Sequence, residues 1–483
     1  MNTFLNAIDL TRTENGMVAR KSTNSAILDM FAFGGAYRSR TDEDVINLFK
    51  KAVEEDLSLA MKCLFYIRDV RGGQGERRFF RVAYRWLCEN YPDAARRNLE
   101  HVAEYGRWDD ILAIVDGTVL EEFGLQLICG QLLNDIVVKE PSLLAKWLPS
   151  ENASSAETKA LAKKVRNFLD ISSRDYRKLL SGLRARIKVL ERTMSAREWD
   201  KIEFDKLPSV AGLRYAKAFS KHPETAEAYQ EFLKSDKKVN AGVLNPVDIT
   251  ERVLMGGYCC RNGKGEDEVL ALQKYWENLK DYYDGREERG LCVVDVSGSM
   301  CGRPMAAAIG MGIYIAERGK GPFKDHFITF SERPELVKIT GANIVEKIDN
   351  MEEANWGANT DIKKTMDLIL RGLKTKGVKA EDAPTRLYIF SDMAFDDAFG
   401  MEEDETLIYF EHLKKVWEYE GYKLPEIVFW NLDARDDVIP AIGDGFSYIS
   451  GNSMSMIECI LSGKTGYDLM LDKLLSDRYK EVE

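Results

Sequence analysis

The spacing of apolar positions changes character once along the chain. Up to about residue 285, apolar residues recur at helical spacing and strand signals are sparse. Thr41 stands before Asp42-Glu43-Asp44, a capping residue with an acid three positions on, so a helix is predicted from there. Leu48, Ala52, Leu57, Leu59, Met61, Leu64 and Phe65 supply apolar faces across a break near Asp56. Helical patterns follow at 77–91, 94–105 and 108–115, then through a basic region at 160–192, on to Leu254, and again at 266–280. Residues 1–40 carry few periodic signals, and Gly34-Gly35-Ala36-Tyr37-Arg38 reads as a flexible, partly basic loop. Successive helices on short connectors predict an α-helical repeat domain, HEAT-like and without a clean repeat period.

From Gly290 the pattern alternates. Leu291-Cys292-Val293-Val294 is a short apolar run bounded by Gly290 and Gly298, the signature of a buried central strand. A helix is predicted at about 303–318, a strand at Phe327–Ser331 and a partner strand at Glu335–Ile339. Helices follow at about 343–351 and 361–374, then a strand ending at Asp392, a helix at 403–419, strands at Ile427–Leu432 and Phe446–Ser450, and terminal helices. Strands separated by helices of this length predict a doubly wound, largely parallel, Rossmann-like sheet. The 483 residues exceed one ordinary core, so the expectation is a multidomain α and α/β protein, helical over 1–285 and doubly wound over 286–483.

Composition adds three points. Hydrophobic content of 45% and charged content of 30% describe a globular protein, and no apolar run approaches the roughly 20 residues that span a bilayer. Met1-Asn2-Thr3-Phe4-Leu5 lacks the basic region and apolar core of a signal peptide, and the eight scattered cysteines form no Cys-x-x-Cys pair. A cytoplasmic protein with reduced thiols and no membrane partner is therefore expected. The net charge of −11 is uneven: 22 Lys and Arg face 34 Asp and Glu from Gly290 onward, against 46 and 45 before it.

The chemistry lies where strands end. Asp295-Val296-Ser297-Gly298-Ser299 follows the first buried strand, at the edge where open α/β sheets bind ligands. One carboxylate and two hydroxyls are hard oxygen ligands, suited to Mg²⁺ or Mn²⁺ and not to zinc or copper. Gly357-Ala358-Asn359-Thr360-Asp361 offers a loop threonine before a helix, and Ser391-Asp392 ends a second buried strand. A plain capped turn is the bland alternative for Asp-x-Ser-x-Ser taken alone. The three pieces in this order resemble the von Willebrand factor A domain and its metal-ion-dependent adhesion site. The resemblance implies a metal held by Asp295, Ser297, Ser299, Thr360 and Asp392, with a position open to an acidic residue of a protein partner. Asp361, Asp396, Asp397 and Asp433 on neighbouring loops read as helix caps and solvated loop residues, with groups supporting the metal ligands as the alternative. No general base accompanies the set and four scattered histidines supply none, so a binding protein and not an enzyme is expected.

The helical part carries its own candidates. Arginines flank the glycines of Ile67-Arg68-Asp69-Val70-Arg71-Gly72-Gly73-Gln74-Gly75-Glu76-Arg77-Arg78, and Phe79-Phe80 follow. The segment reads either as a tight helix–helix turn with the Phe pair in the core, or as an anion site of arginine forks and free amides. Trp108 reads as a packing anchor, with a base-stacking platform as the alternative. Within 160–192, ten basic residues face three acids, an imbalance unusual for a merely solvated face. With Tyr105-Gly106-Arg107-Trp108-Asp109-Asp110 and Lys146-Trp147-Leu148-Pro149-Ser150, the glycine segment resembles the helical part of a little-characterised group. That group places a Ro-like (TROVE) helical-repeat domain before an A-type domain. The resemblance implies binding of structured or misfolded noncoding RNA, with contacts expected from Arg68, Arg71, Arg77, Arg78, Lys146, Arg174, Tyr176, Arg177, Arg184 and Arg186. A metal-dependent protein-interaction module without RNA is the alternative.

Overall fold

The computed structural model describes residues 10–13, 18–254, 265–354, 361–395, 403–440, 445–464 and 466–483. The chain forms two compact units, each from separated segments: residues 1–57 with 241–476, and residues 58–240 with 477–483.

In the first unit a six-stranded sheet runs in the order β5-β4-β3-β6-β7-β8. Its strands are β3 (Gly290–Val294), β4 (His326–Thr329), β5 (Leu336–Lys338), β6 (Arg386–Ser391), β7 (Glu426–Asn431) and β8 (Phe446–Ser450). All neighbours are parallel except the edge pair β4 and β5. The chain leaves β3 for β4 on one side and returns to β6 on the other, so β3 and β6 flank the switch point. Both are buried almost throughout, as apolar runs covered on two faces must be. A two-stranded antiparallel hairpin, β1 (Leu10–Arg12) with β2 (Val18–Arg20), lies ahead of the sheet in sequence, and Arg20 bridges to Ile439.

Elements from both sides of residue 285 pack together within the first unit. The helix Pro246–Leu254 packs on Arg303–Arg318 at Gly310, where a Cβ would run into Thr250 Oγ1 and lie 3.1 Å from the Pro246 carbonyl carbon. The helix Ala26–Phe33 packs on β8, and the Gly35 amide donates to Ser450 Oγ at 3.0 Å. The segment Gly34–Ala36 is accordingly a buried 3₁₀ turn and not a flexible loop, and the Tyr37 hydroxyl donates to Asp437. An amphipathic pattern announces a face to be buried without saying which element buries it.

Every regular element from Leu57 to Lys234 is a helix. Thr41 caps Asp42–Glu55 with the reciprocal Asp44 bond, and helices at Arg78–Asn90, Pro92–Asn98 and Trp108–Val115 follow the predicted rhythm. The glycine segment is a tight turn. The amides of Gln74, Gly75 and Glu76 donate to the carbonyls of Tyr66, Asp69 and Ile67, so they are not free for an anion. Phe79 and Phe80 are buried, and Phe80 meets Phe65 edge-on at 5.4 Å. A Cβ on Gly73 would overlap the Tyr66 carbonyl oxygen. Gly73→Ala is therefore expected to destabilise the helical unit by about 1–3 kcal/mol. An unchanged urea midpoint would show that the turn opens without cost.

Candidate functional site: an oxygen-lined pocket at the switch point

Register positions the site. Val294 pairs with Phe390, and the Asp295 amide donates to the Phe390 carbonyl at 3.0 Å, so Asp295 and Ser391 emerge side by side from adjacent strands. Ser391 Oγ donates to Asp295 Oδ2 at 2.6 Å, and the Ser297 amide donates to Oδ1 at 2.8 Å. The hydroxyls of Ser297 and Ser299 lie 2.9 Å apart. Asp392 follows Ser391, with Oδ1 accepting the Ala394 amide at 3.2 Å. The turn after it holds Met393 at φ 67°, a left-handed conformation uncommon for a non-glycine residue and typical of constrained sites.

Two features mark the pocket electrostatically. Burial pushes the Asp295 carboxyl up to about 6; the bonds from Ser391 and Ser297 oppose the rise, and the charge of Asp392 adds to it. Asp392 is 5% exposed, and its Oδ2 is buried without a hydrogen-bond partner among the described residues. An orphaned buried carboxylate oxygen is costly. Beside a second carboxylate and two hydroxyls, it fits a hard divalent cation. Among the described residues no group of three or more His, Cys, Asp and Glu side chains comes together, so the donor set depends on the hydroxyls.

Neighbouring residues divide as follows. Asp361 caps the helix Ile362–Lys376, accepting the Lys364 amide at 2.9 Å. Asp433 accepts the Ser39 hydroxyl at 2.9 Å. Asp361 is thus a helix cap, whereas Asp433 is a half-buried acceptor. Thr360, Asp396 and Asp397 lie outside the described residues. Sequence reasoning missed two participants: Ser391 as the partner of Asp295, and Arg435 donating to the Ser299 carbonyl; Asn431, opposite Ser391 on β7, has a buried Nδ2 with no partner among the described residues. Ser391 was legible as half of the Ser-Asp string, whereas Arg435 has no local signal.

In the helical unit the RNA candidates separate into framework and surface. Arg68 is 2% exposed and forks onto Asp110 at 2.9 and 2.7 Å. Tyr176 is buried, its hydroxyl donating to the Pro149 carbonyl at 3.0 Å. Arg184 donates to the carbonyls of Ala145 and Leu148 and to Ser150 Oγ, closing the end of Leu144–Trp147. Arg186 does the same for the helix Glu121–Val137 through Asp135, Ile136 and Val138. Arg68 and Tyr176 are held inside the fold, and Arg184 and Arg186 bond helix-end carbonyls 36 to 51 residues away, which need donors.

Arg71, Arg77, Arg174 and Arg177 are exposed, and Arg78 and Lys146 are half-buried. Arg71 donates to the Glu104 carbonyl at 2.6 Å, and Arg177 only to its own helix. Arg107 stacks over Trp147 at 4.1 Å, with Lys146 also over that ring. Beside them opens a groove of about 840 Å³ whose lining includes Lys146, Trp147, Arg177 and Arg192, together with Glu151 and Glu191.

The three sequence strings that carry the family resemblance meet around these groups. Gly106 lets Arg68 reach Asp110, since a Cβ there would stand 2.7 Å from Arg68 Nε. The Arg107 amide donates to Asp110 at 2.9 Å, and its guanidinium lies on Trp147 of the third string.

Fold and site together define a two-unit protein: a helical unit, and a unit built on a mostly parallel six-stranded sheet with a cluster of oxygen donors at its switch point. Comparison with known proteins supplies the family. The model of a domain of unknown function, DUF2828, matches residues 13–126 and 131–282, and another such model, DUF7788, matches residues 289–479. The chain is 31% identical over 504 aligned residues to "Uncharacterized protein L728" of Acanthamoeba polyphaga mimivirus, across 94% of this chain and 85% of that protein. The chain belongs to the DUF2828 family. Among solved structures it is similar to the Ro (RSR) protein of Deinococcus radiodurans, with a TM-score of 0.48 and 14% identity over 94% of this chain and 99% of that one. No described helix is long and apolar enough to cross a membrane.

Proposed function

We propose that this is a Ro-like RNA-binding protein that holds structured noncoding RNA on the basic surface of its helical unit. The observation that carries the reading is the charge left over once the framework arginines are accounted for. Lys163, Arg174 and Lys178 stand exposed on the helices Ala156–Phe168 and Ser173–Arg186, with Arg177 beside them. Such a surface follows a phosphate backbone, and Trp147 in the groove offers a face for an unpaired base.

The sheet unit acts in this reading as a von Willebrand factor A-type domain. Asp295, Ser297, Ser299, Asp392 and Thr360 would hold Mg²⁺ or Mn²⁺, which supplies a Lewis-acidic position for a partner's carboxylate. The chain's part is to bury and orient the oxygens: Ser391 fixes the Asp295 carboxylate, and the Met393 turn fixes Asp392. The role proposed is binding and not catalysis.

Filter binding of a structured RNA at two salt concentrations tests it. Affinity should fall steeply with salt, and joint reversal of Arg174, Arg177 and Lys178 to Glu should weaken binding tenfold or more across RNA sequences. No retention of structured RNA at low salt removes the RNA reading and leaves a metal-dependent protein-interaction module.

A further inference from the structure

The last seven residues belong to the helical unit although more than 230 residues separate them from the rest of it. They form no element beyond the 3₁₀ turn Asp477–Tyr479, so their order comes from what they touch. Arg478 forks onto Asp69, Nε to Oδ2 at 2.9 Å and Nη2 to Oδ1 at 3.1 Å, and reaches Glu104 through Nη1 at 2.9 Å. Its guanidinium lies over the Tyr105 ring, and the Tyr105 hydroxyl donates to the Arg478 carbonyl at 2.6 Å. Tyr479 is buried, stacked on Tyr105 at 5.7 Å and edge-on to Tyr66 at 6.2 Å, its hydroxyl donating to Asp69. Val482 is buried as well, while Lys480 and Glu481 point to solvent.

The backbone is read too. Lys62 Nζ donates to the carbonyls of Tyr479 and Val482, each at 2.6 Å. Asn98 pairs with Glu483 in both directions, Nδ2 to the carbonyl at 2.6 Å and Oδ1 from the amide at 2.9 Å. Forked guanidinium recognition, side-chain pockets at selected positions and paired main-chain bonds are how grooves bind extended peptides.

Several of the recognising groups have anchors of their own in the helical unit. Asp69 Oδ1 accepts the Arg71 amide at 2.9 Å, and the Tyr66 hydroxyl accepts Gln74 Nε2 at 2.6 Å. Asn98 Nδ2 donates to Ala94 at 3.0 Å, and the Tyr105 ring packs edge-on against Phe65 at 5.2 Å. Groups held in place before a ligand arrives make a binding site and lower the ordering cost of binding.

We propose that this face of the helical unit is a sequence-selective peptide-binding groove. Its ligand class is a segment of the form Arg-Tyr-x-x-Val, supplied here by the chain's own Arg478 to Val482. The inference depends on neither the metal nor the RNA reading.

The test uses the full chain with a protease site inserted between Ser476 and Asp477. After cleavage, an excess of fluorescent peptide spanning Asp477 to Glu483 is added and its anisotropy followed. The labelled peptide should displace the cleaved segment and saturate a single site. The Arg478→Ala and Tyr479→Ala peptides should each bind at least tenfold more weakly, and the uncleaved chain should take up none. Three results would each overturn the proposal: a folded cleaved chain that takes up no labelled peptide, equal uptake of the Arg478→Ala peptide, or unfolding of the helical unit on cleavage. The last would make these residues core and not ligand.

Discussion

Asp110→Ala is expected to lower the stability of the helical unit by about 3–5 kcal/mol, the usual cost of stripping one partner from a buried ion pair. Asp110 is fully buried and holds three groups at once. Its Oδ2 accepts both Arg68 nitrogens and the Arg107 amide, and its Oδ1 accepts Arg81 Nε at 2.7 Å. Alanine would leave the Arg68 guanidinium in the interior with its charge uncompensated and the Arg107 amide without an acceptor. Arg68 was a candidate RNA contact from its sequence neighbours alone. On this geometry, RNA binding lost with an Arg68 substitution would report unfolding. Urea melts followed by the helical circular-dichroism signal settle the matter: a loss below about 1 kcal/mol would mean that water replaces the carboxylate at little cost.

The second large effect concerns Asp295 and has an unusual sign. In the unfolded chain this carboxyl titrates near 3.9, whereas in the folded chain burial holds it at about 6. A raised acid favours the folded state when protonated, so stability falls as pH rises from about 4 to 6. Above that the whole penalty, about 3 kcal/mol, is present. Without divalent metal, the protein should therefore melt at a higher temperature at pH 5 than at pH 7, as far as this group decides it. Asp295→Asn should remove that slope and leave the metal-free protein at pH 7 no less stable than the parent. Mg²⁺ at millimolar concentration should stabilise the parent at pH 7, with a benefit that fades below pH 6 as protons compete, and should not stabilise the Asn variant. A Mg²⁺ response in Asp295→Asn equal to the parent's would place the cation elsewhere.

Much of this site could be read before the structure because strand ends impose it. A buried run such as Leu291 to Val294 must stop where polar residues begin, and those residues are then delivered to one edge of the sheet. The helix Arg303–Arg318 and strand Phe446–Ser450 likewise match expectation, being bounded by Gly302 and Gly319 in one case and by Gly445 and Gly451 in the other. The arginines of the helical unit were read less well. Arg174 and Arg184 look alike in sequence, yet only Arg184 lies within reach of carbonyls left open at the end of Leu144–Trp147. Charge pattern records which residues are cationic; the partner of each is a matter of packing between helices distant in sequence. The element that covers an apolar helix is hidden for a related reason. The helix Ala26–Phe33 is apolar on nearly every face, which forecasts burial but not burial against the last strand of the sheet.

That helix has a consequence for how the molecule is made. Its neighbour Gly35 bonds to Ser450, 415 positions further on. At ordinary ribosomal speeds the interval is on the order of tens of seconds. For that time an apolar helix waits, already synthesised, for a surface that does not yet exist. The nascent chain thus offers a foothold for chaperones during that interval, and the sheet unit can complete its assembly only after Ser450 has been made.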